Sequence, residues 1–443
     1  MKRKLLATTI IVAIAIMVGT PYATGMMAEK HYRSMISANP FTPSLQMESR
    51  NYERGIFSSQ ATTFVEINDP ELRQILVHEL GKDKNGKVGV VVRHHISHSP
   101  LIFGSAEGID LAVVRTTHQV EQNGSVENSS GQQSEHISMF QLDSRLHFDG
   151  SQTVEANSRE TLTRNNRATT RLLPFSIKFV TDKNYRTFQG DGEWKGATSE
   201  SNRGEKISIS DTRFKFDMEK NGEIWHGAIS LSVNSIALNS PKRSLQIDLL
   251  KAESRSSEHG AERLIDYTTE VSLHQLRATG KTFGPGELIL TINNIPAAAL
   301  ERLNTIQQRA MNASSPDHTI ALQTAGIEAM GLLPELISHG ISIDMERLYF
   351  NTPDGEIVGR INLRLPKSNP ASLLNIPYLK SIIKLDAGFS LPATVVPDAM
   401  MKNEIRPLIE RNDLILDGNS LKSKIRMSAG VLKMNNRVVA LPY

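Results

Sequence analysis

Apolar and polar residues alternate with a period of two along most of the chain, the pattern of strands that cover one face and leave the other to water. Phe214, Phe216 and Met218 run into Asn221-Gly222, and Ile229, Leu231 and Val233 leave it, which predicts a hairpin with its apolar residues on one side. After Asp354-Gly355 the alternation is cleaner. Ile357, Gly359, Ile361, Leu363 and Leu365 share one parity, and Glu356, Val358, Arg360, Asn362 and Arg364 share the other. Leu245, Ile247 and Leu249, then Leu288, Leu290 and Ile292, then Ile341, Ile343 and Met345 repeat the pattern. Asn-Gly or Asp-Gly occurs seven times, at Asn85, Asn123, Asp149, Asp191, Asn221, Asp354 and Asp417. Such pairs favour the positive φ angles of tight hairpins. The expected fold is mainly β (α+β): an N-terminal transmembrane helix, then a long antiparallel, curved sheet with a few helices packed on one side.

Helical spacing appears in three places. After Pro296, residues 297–311 carry Leu300, Leu303, Ile306 and Ala310 on one face; residues 317–339 are interrupted at Gly326, Gly331 and Pro334; a shorter stretch covers 398–411. The polar runs 122–135 and 157–170 predict loops. The chain divides into an anchor at 1–28, a β-rich region at 29–296, a helical insert at 297–340 and a C-terminal β-rich segment with one short helix at 341–443.

Lys2, Arg3 and Lys4 precede an apolar run from Leu5 to Val18, and no charge follows until Glu29. That length of helix crosses roughly 30 Å of hydrocarbon at about 1.5 Å per residue. The basic end stays in the cytosol, so the bulk of the chain is expected outside it. Ala23-Thr24-Gly25 offers small residues for a signal peptidase, with Pro21 ending a helix before them. Length favours a retained single-pass anchor, and release by cleavage is the alternative. The absence of cysteine excludes a lipoprotein anchor and disulfide stapling, leaving stability to a packed core.

With 39% hydrophobic and 22% charged residues over 443 positions, the chain is of ordinary globular composition. A net charge of +3, without a basic stripe, makes nucleic acid a poor partner. No zinc-protease, serine-hydrolase, phosphate-loop or dinucleotide motif occurs. No catalytic, cofactor or metal site is therefore assigned. The one histidine cluster is His94-His95-Ile96-Ser97-His98, where alternation puts His94, Ile96 and His98 on one face and His95 on the other. Two histidines at that spacing lack a third zinc ligand, which His118, His136 or His147 could in principle supply from adjacent strands. The favoured reading is a strand-end histidine bonded to the turn at Ser99-Pro100. Trp194 and Trp225 read as packing residues beside turns, and the run of Glu253, Glu258, Glu262 and Glu270 with Lys251, Arg255 and Arg263 as a solvated face.

Tyr52, Arg54, Gly55, Phe57, Ser58 and Ser59 resemble the opening signature of the YdgA-like bacterial family, inner-membrane-anchored envelope proteins with a domain of unknown function. His98 and Pro100 resemble its His-Gly-Pro after a strand, with Ser99 in place of the glycine. Gly430 and Asn435 resemble its final hairpin, with Asn436 in place of the last glycine. The resemblance implies a tether in the inner membrane and a periplasmic bulk, and supplies no reaction. These residues read as fold determinants. Together with the one-sided sheet they point to a non-enzymatic envelope protein holding lipid or another amphiphile in an apolar β groove, as in the superficially similar AsmA-like bridge proteins. The alternative is a structural or protein-interaction module, dimeric through its sheet edges. An enzyme built on His94 and His98 ranks third.

Overall fold

The computed structural model describes residues 24–37, 45–55, 57–68, 73, 86–98, 102–105, 108–110, 114–122, 140–147, 149–164, 168–241, 243–311, 318–373, 375–397 and 400–439. The fold is mainly antiparallel β-sheet with few helices. It divides into two compact units: Met1–Thr161 with Pro174–Gly192 and Ala310–His318, and Leu162–Leu173 with Glu193–Arg309 and Thr319–Tyr443. Among the described residues no helix is long and apolar enough to cross a membrane, and the expected span lies outside them up to residue 23. Residues 24–28, expected to finish that span, instead begin a helix over 24–37, α1, that carries Glu29, Lys30 and Arg33.

In the first unit, α1 is followed by β1 (Leu45–Arg54), β2 (Ser58–Ile67), β3 (Gly89–His98), β4 (Ile102–Ser105), β5 (Gly108–Asp110), β6 (Val114–Gln122), β7 (Phe140–Leu146) and β8 (Gln152–Ser158). Then, in chain order, come β9 (Thr161–Arg164) and β10 (Ala168–Leu172), which fall in the second unit but for Thr161, β11 (Phe175–Thr181) of the first, and β12 (Thr187–Ser201), which belongs to the first unit up to Gly192 and to the second from Glu193. The ladder runs β1-β2-β3-β6-β7-β8-β11, antiparallel throughout. β9 and β10 occupy much of the stretch expected to be a loop at 157–170. Its threonines suit strands as well as loops, and β10 gains a partner in β12. Asp191-Gly192 and Trp194 lie inside β12, away from any turn, and the Trp194 indole donates to Leu173 O at 3.2 Å. Helix α1 has Ala28 and Tyr32 buried one turn apart. With Met35 and Ile36 they form the stripe that packs on Ala61, Ile96 and Leu146.

The second unit continues with β13 (Lys206–Asn221), β14 (Ile224–Asn239), β15 (Ser244–His259), β16 (Leu264–Ala278), β17 (Lys281–Phe283), β18 (Gly286–Pro296), β19 (Ser342–Thr352) and β20 (Gly355–Arg364). β21 (Lys384–Pro392), β22 (Ile415–Asp417), β23 (Ser420–Ser428), β24 (Val431–Met434) and β25 (Arg437–Val439) complete it. Its ladder runs β13-β14-β15-β16-β18-β19-β20-β21-β23-β24-β25. The expected hairpins form at Asn221-Gly222, Asp354-Gly355 and Asp417-Gly418, with φ of 64°, 134° and 59° at the glycines.

Helix Ala297–Met311 forms at the expected residues. Ala297 and Leu300 pack with Ile224, Ile265 and Ile295, so the helix plugs the strand ends. Arg263 fixes it there, bonding Glu258 at 3.0 Å, Glu301 at 3.1 Å and Asn221 O at 2.9 Å. The stretch 317–339 resolves into His318–Gly331 and Leu333–Ser338, uninterrupted at Gly326. The stretch 398–411 contains a π turn, Met401–Ile405, leading into Arg406–Glu410. Helices Pro370–Leu373 and Ile376–Ile382 carry no sequence signal long enough to predict them.

Candidate functional site

Two places concentrate unusual features, one in each unit. In the first unit the expected family residues assemble beneath α1. β1 and β2 pair Tyr52 with Ala61 and Arg54 with Ser59. The chain reverses at Gly55, whose N–H donates to Ser58 O at 2.9 Å; a Cβ on Gly55 would sit 2.5 Å from that oxygen. Phe57 is exposed, and its carbonyl accepts the His98 amide at 3.0 Å. Tyr52 packs at a tilt against Tyr32 of α1 with ring centroids 5.2 Å apart, and burial raises its hydroxyl pKa. Arg54 reaches Glu29 of α1 at 3.3 Å.

The histidines face as expected: His94, Ile96 and His98 are buried, and His95 is exposed on the other side. His98 bonds across β2, its Nε2 lying 3.0 Å from Ser59 Oγ, whereas a bond to the following turn was expected. Ser99 and Pro100 lie outside the described residues. His94 Nε2 lies 2.7 Å from Thr63 Oγ1, which lies 2.9 Å from the Tyr32 hydroxyl, which in turn donates to Ser49 Oγ at 3.0 Å. Desolvation lowers the His94 pKa from 6.5 to about 4. Gly25 comes so close to the His98 ring that a Cβ there would meet it at 2.9 Å. A second, half-buried pair, His31 Nε2 and the Tyr185 hydroxyl, is 2.9 Å apart; burial lowers the first pKa and raises the second to about 12.

Chemically this is a seam of neutral hydrogen bonds under a docked helix. Ser59 and His98 have the spacing of a nucleophile and base, yet both are about 1% exposed, which closes them to a substrate. A cavity between Ala28, Tyr32, His94 and Gln152, which neither Ser59 nor His98 lines, has a volume of about 30 Å³, too small for any substrate larger than water. Among the described residues no three His, Asp or Glu side chains converge as metal ligands. His147 bonds Thr153 at 2.9 Å, and His136 lies outside the described residues.

Gly430 and Asn435 belong to the second unit. Ala429 and Gly430, at φ 48° and 78°, turn β23 into β24, and Asn435 and Asn436, at φ 47° and 67°, turn β24 into β25. Asparagine tolerates that left-handed region, which is why Asn436 can stand where the resemblance has glycine. The Asn435 side chain also clamps a loop, accepting from Lys424 N at 2.8 Å and donating to Asn412 O and Asp413 O at 3.1 and 3.0 Å.

The second place is the sheet of the second unit. Residues directly opposite on paired strands share a face, so the register builds continuous rows. One reads Phe216, Ile229, Ser254, Thr269, Leu290, Met345, Ile361, Ala387, Ile425 and Met434. The row beside it reads Phe214, Leu231, Ala252, Val271, Leu288, Leu348, Gly359 and Phe389. Rows through Val233 and Tyr267 flank these two, and none of the four contains a charge. Of their apolar side chains only Val233 and Met427 are buried, while Ile229, Leu231, Tyr267, Ile361 and Phe389 are 38–48% exposed. The opposite face carries cross-strand pairs: Arg347 with Glu287 at 2.8 Å, Arg426 with Asp386 at 3.1 Å and Asn362 with Asp344 at 2.8 Å. At about 4.8 Å per strand, the apolar face measures roughly 48 Å across the ladder.

Sequence alternation predicted strands of this face but not its extent. On β13 to β16 the apolar parity changes along one transverse line. It passes from Ile209 to Thr212, from Val233 to Ile236, from Ile247 to Leu250 and from Leu273 to Leu276. The residues on that line, Asp211, Asn234, Leu249 and His274, drop out of the pairing; Asp211 and Leu249 have φ of 37° and 50°. A left-handed residue shifts the pleat by one, so the change of parity keeps the apolar set on one side. A polar pocket of about 570 Å³ at the ends of β10, β12 and β13, lined by Arg171, Glu200 and Lys206, is separate from this face, since Lys206 has the opposite parity to Ile207.

Comparison with known proteins places the chain in a family. The model of the family described as "Bacterial protein of unknown function (DUF945)" matches residues 1–442, and the chain belongs to that family. It is similar to Protein YdgA of Escherichia coli (strain K12), 22% identical over 441 residues that cover 90% of this chain and 83% of that protein. No solved structure matches.

Proposed function

We propose that this member of the DUF945 family is a non-enzymatic envelope protein that binds amphiphiles on the open apolar face of its second unit. The N-terminal basic and apolar segment holds it at the inner membrane with its bulk in the periplasm. The observation that carries the reading is the charge-free set of rows, kept half-exposed on a sheet whose other face is laced with ion pairs. Monomeric proteins rarely leave so large an apolar surface in water, and a surface of that kind marks a ligand, a partner or a membrane.

Magnitudes narrow the ligand. A chain lying on an open face loses about half its contact with water, so about fourteen methylenes gain roughly 6 kcal/mol at about 0.8 kcal/mol per fully buried group. Association costs on the order of 4–15 kcal/mol. One chain is therefore marginal, and molecules with two or more chains bind.

The test is native mass spectrometry of the full chain released gently from membranes, followed by lipid extraction of the same sample. Heterogeneous adducts of lipid mass support the reading. A lipid-free dimer would instead make the face an interface between copies, and a lipid-free monomer that takes up no lipid would end the proposal.

A further inference from the structure

Hydroxyls interrupt the apolar face of the second unit, and apart from Thr212 in the row of Val233 four of them stand together. The register sets Ser254 opposite Thr269 and Ser256 opposite Tyr267 on β15 and β16. Thr269 Oγ1 donates to Ser254 Oγ at 3.5 Å, and Ser256 Oγ accepts the Gly227 amide at 3.2 Å. The hydroxyls of Ser254 and Thr269 hold the Tyr267 pKa below its ordinary value. The surroundings are apolar: Phe216, Met218 and Ile229 lie on one side, Leu290 and Ile292 on the other. Tyr267 is 39% exposed, so its side chain is within reach of a ligand on this face.

A hydroxyl cluster inside a charge-free field recognises an uncharged acceptor. A phosphate or carboxylate would need a cation, and the four rows hold none. An alkane gains nothing from hydroxyls. The group that fits is the carbonyl where an acyl chain joins the rest of a lipid, an ester or an amide, since it accepts one or two hydrogen bonds while its chains lie on apolar surface. Resting on the amphiphile reading above, we propose that Ser254, Ser256, Tyr267 and Thr269 form the specificity site of this face. They seat the ester or amide junction of a multi-chain acyl lipid, with the chains spread along the neighbouring rows and the head group left in water.

The experiment compares two probes on the full chain in detergent: dioleoylglycerol, with two ester carbonyls, and the matched dialkylglycerol ether, which has the same chains and no carbonyl. The expected result is a preference for the ester of roughly fivefold, the fold-change of one neutral hydrogen bond. Tyr267→Phe should bring the ester down to the affinity of the ether, and Ser254→Ala should narrow the gap. Phenylalanine keeps the ring, so the fold is retained. Equal affinity for ester and ether in the wild type overturns the junction site and leaves the amphiphile reading standing, as does a preference that survives Tyr267→Phe. If the wild type binds neither probe, the amphiphile reading falls and this site falls with it.

Discussion

Mild acid should undock helix α1, and His94 is the reason. Its imidazole is buried under Tyr32 and bonded to Thr63, and desolvation takes its pKa from 6.5 to about 4. A base whose folded pKa is depressed stabilises the fold only while neutral. Its contribution is complete above pH 6.5 and is lost as pH falls toward 4, because the unfolded chain binds the proton first. Between about pH 7.5 and about pH 4.5 the linkage relation gives a loss of about 2.5 kcal/mol. The groups facing His94 do not offset this: Tyr32 and Thr63 are neutral, and the Glu29 pairs with Arg33 and Arg54 lie at the exposed rim. Amide hydrogen exchange of residues 24–37 at the two pH values, in the wild type and in His94→Gln, measures it. The glutamine keeps a hydrogen-bonding side chain and removes the titration. The wild type should lose protection in acid by about 2 kcal/mol more than the variant. Equal losses in both proteins would refute the reasoning.

Other expectations follow from single contacts. Gly25→Ala puts a methyl 2.9 Å from the buried His98 ring, so α1 should lose hydrogen-exchange protection without change elsewhere. Tyr32→Phe leaves Ser49 and Thr63 without their shared partner and should lower the denaturant midpoint by the equivalent of about 1–2 kcal/mol. Asn435→Ala removes three hydrogen bonds and a favourable left-handed residue, costing about 2–3 kcal/mol in the same assay. Leu231→Asp, on a half-exposed site, should keep the fold by circular dichroism yet abolish lipid adducts in native mass spectra.

The sequence is most legible where one periodicity holds undisturbed. The hairpins at Asn221-Gly222 and Asp354-Gly355 and the helix Ala297–Met311 all follow from local pattern and turn chemistry. Leu249 shows where reading fails. It continues the parity of Leu245 and Ile247, but at φ 50° it leaves the ladder, and the apolar face resumes at Leu250. No local signal marks that shift, because it is shared by four strands and becomes visible only in their register. Helix α1 was hidden for another reason: Ala28, Tyr32, Met35 and Ile36 are a fair helical stripe, but they follow directly on an apolar run that reads as a span. The histidines were placed on the correct face by alternation. Their partners Ser59, Thr63 and Tyr32 come from positions more than thirty residues away, and pairing at that distance is set by the sheet register.

The most direct test of the amphiphile-binding face is photocrosslinking in cells from neighbouring positions of one strand. A benzophenone side chain at Ile361 faces along the apolar rows, and the same group at Arg360 faces the ion-paired side. The account predicts lipid adducts from position 361 and none from position 360. Equal labelling at both positions, or crosslinks from 361 only to a second copy of the chain, would contradict it.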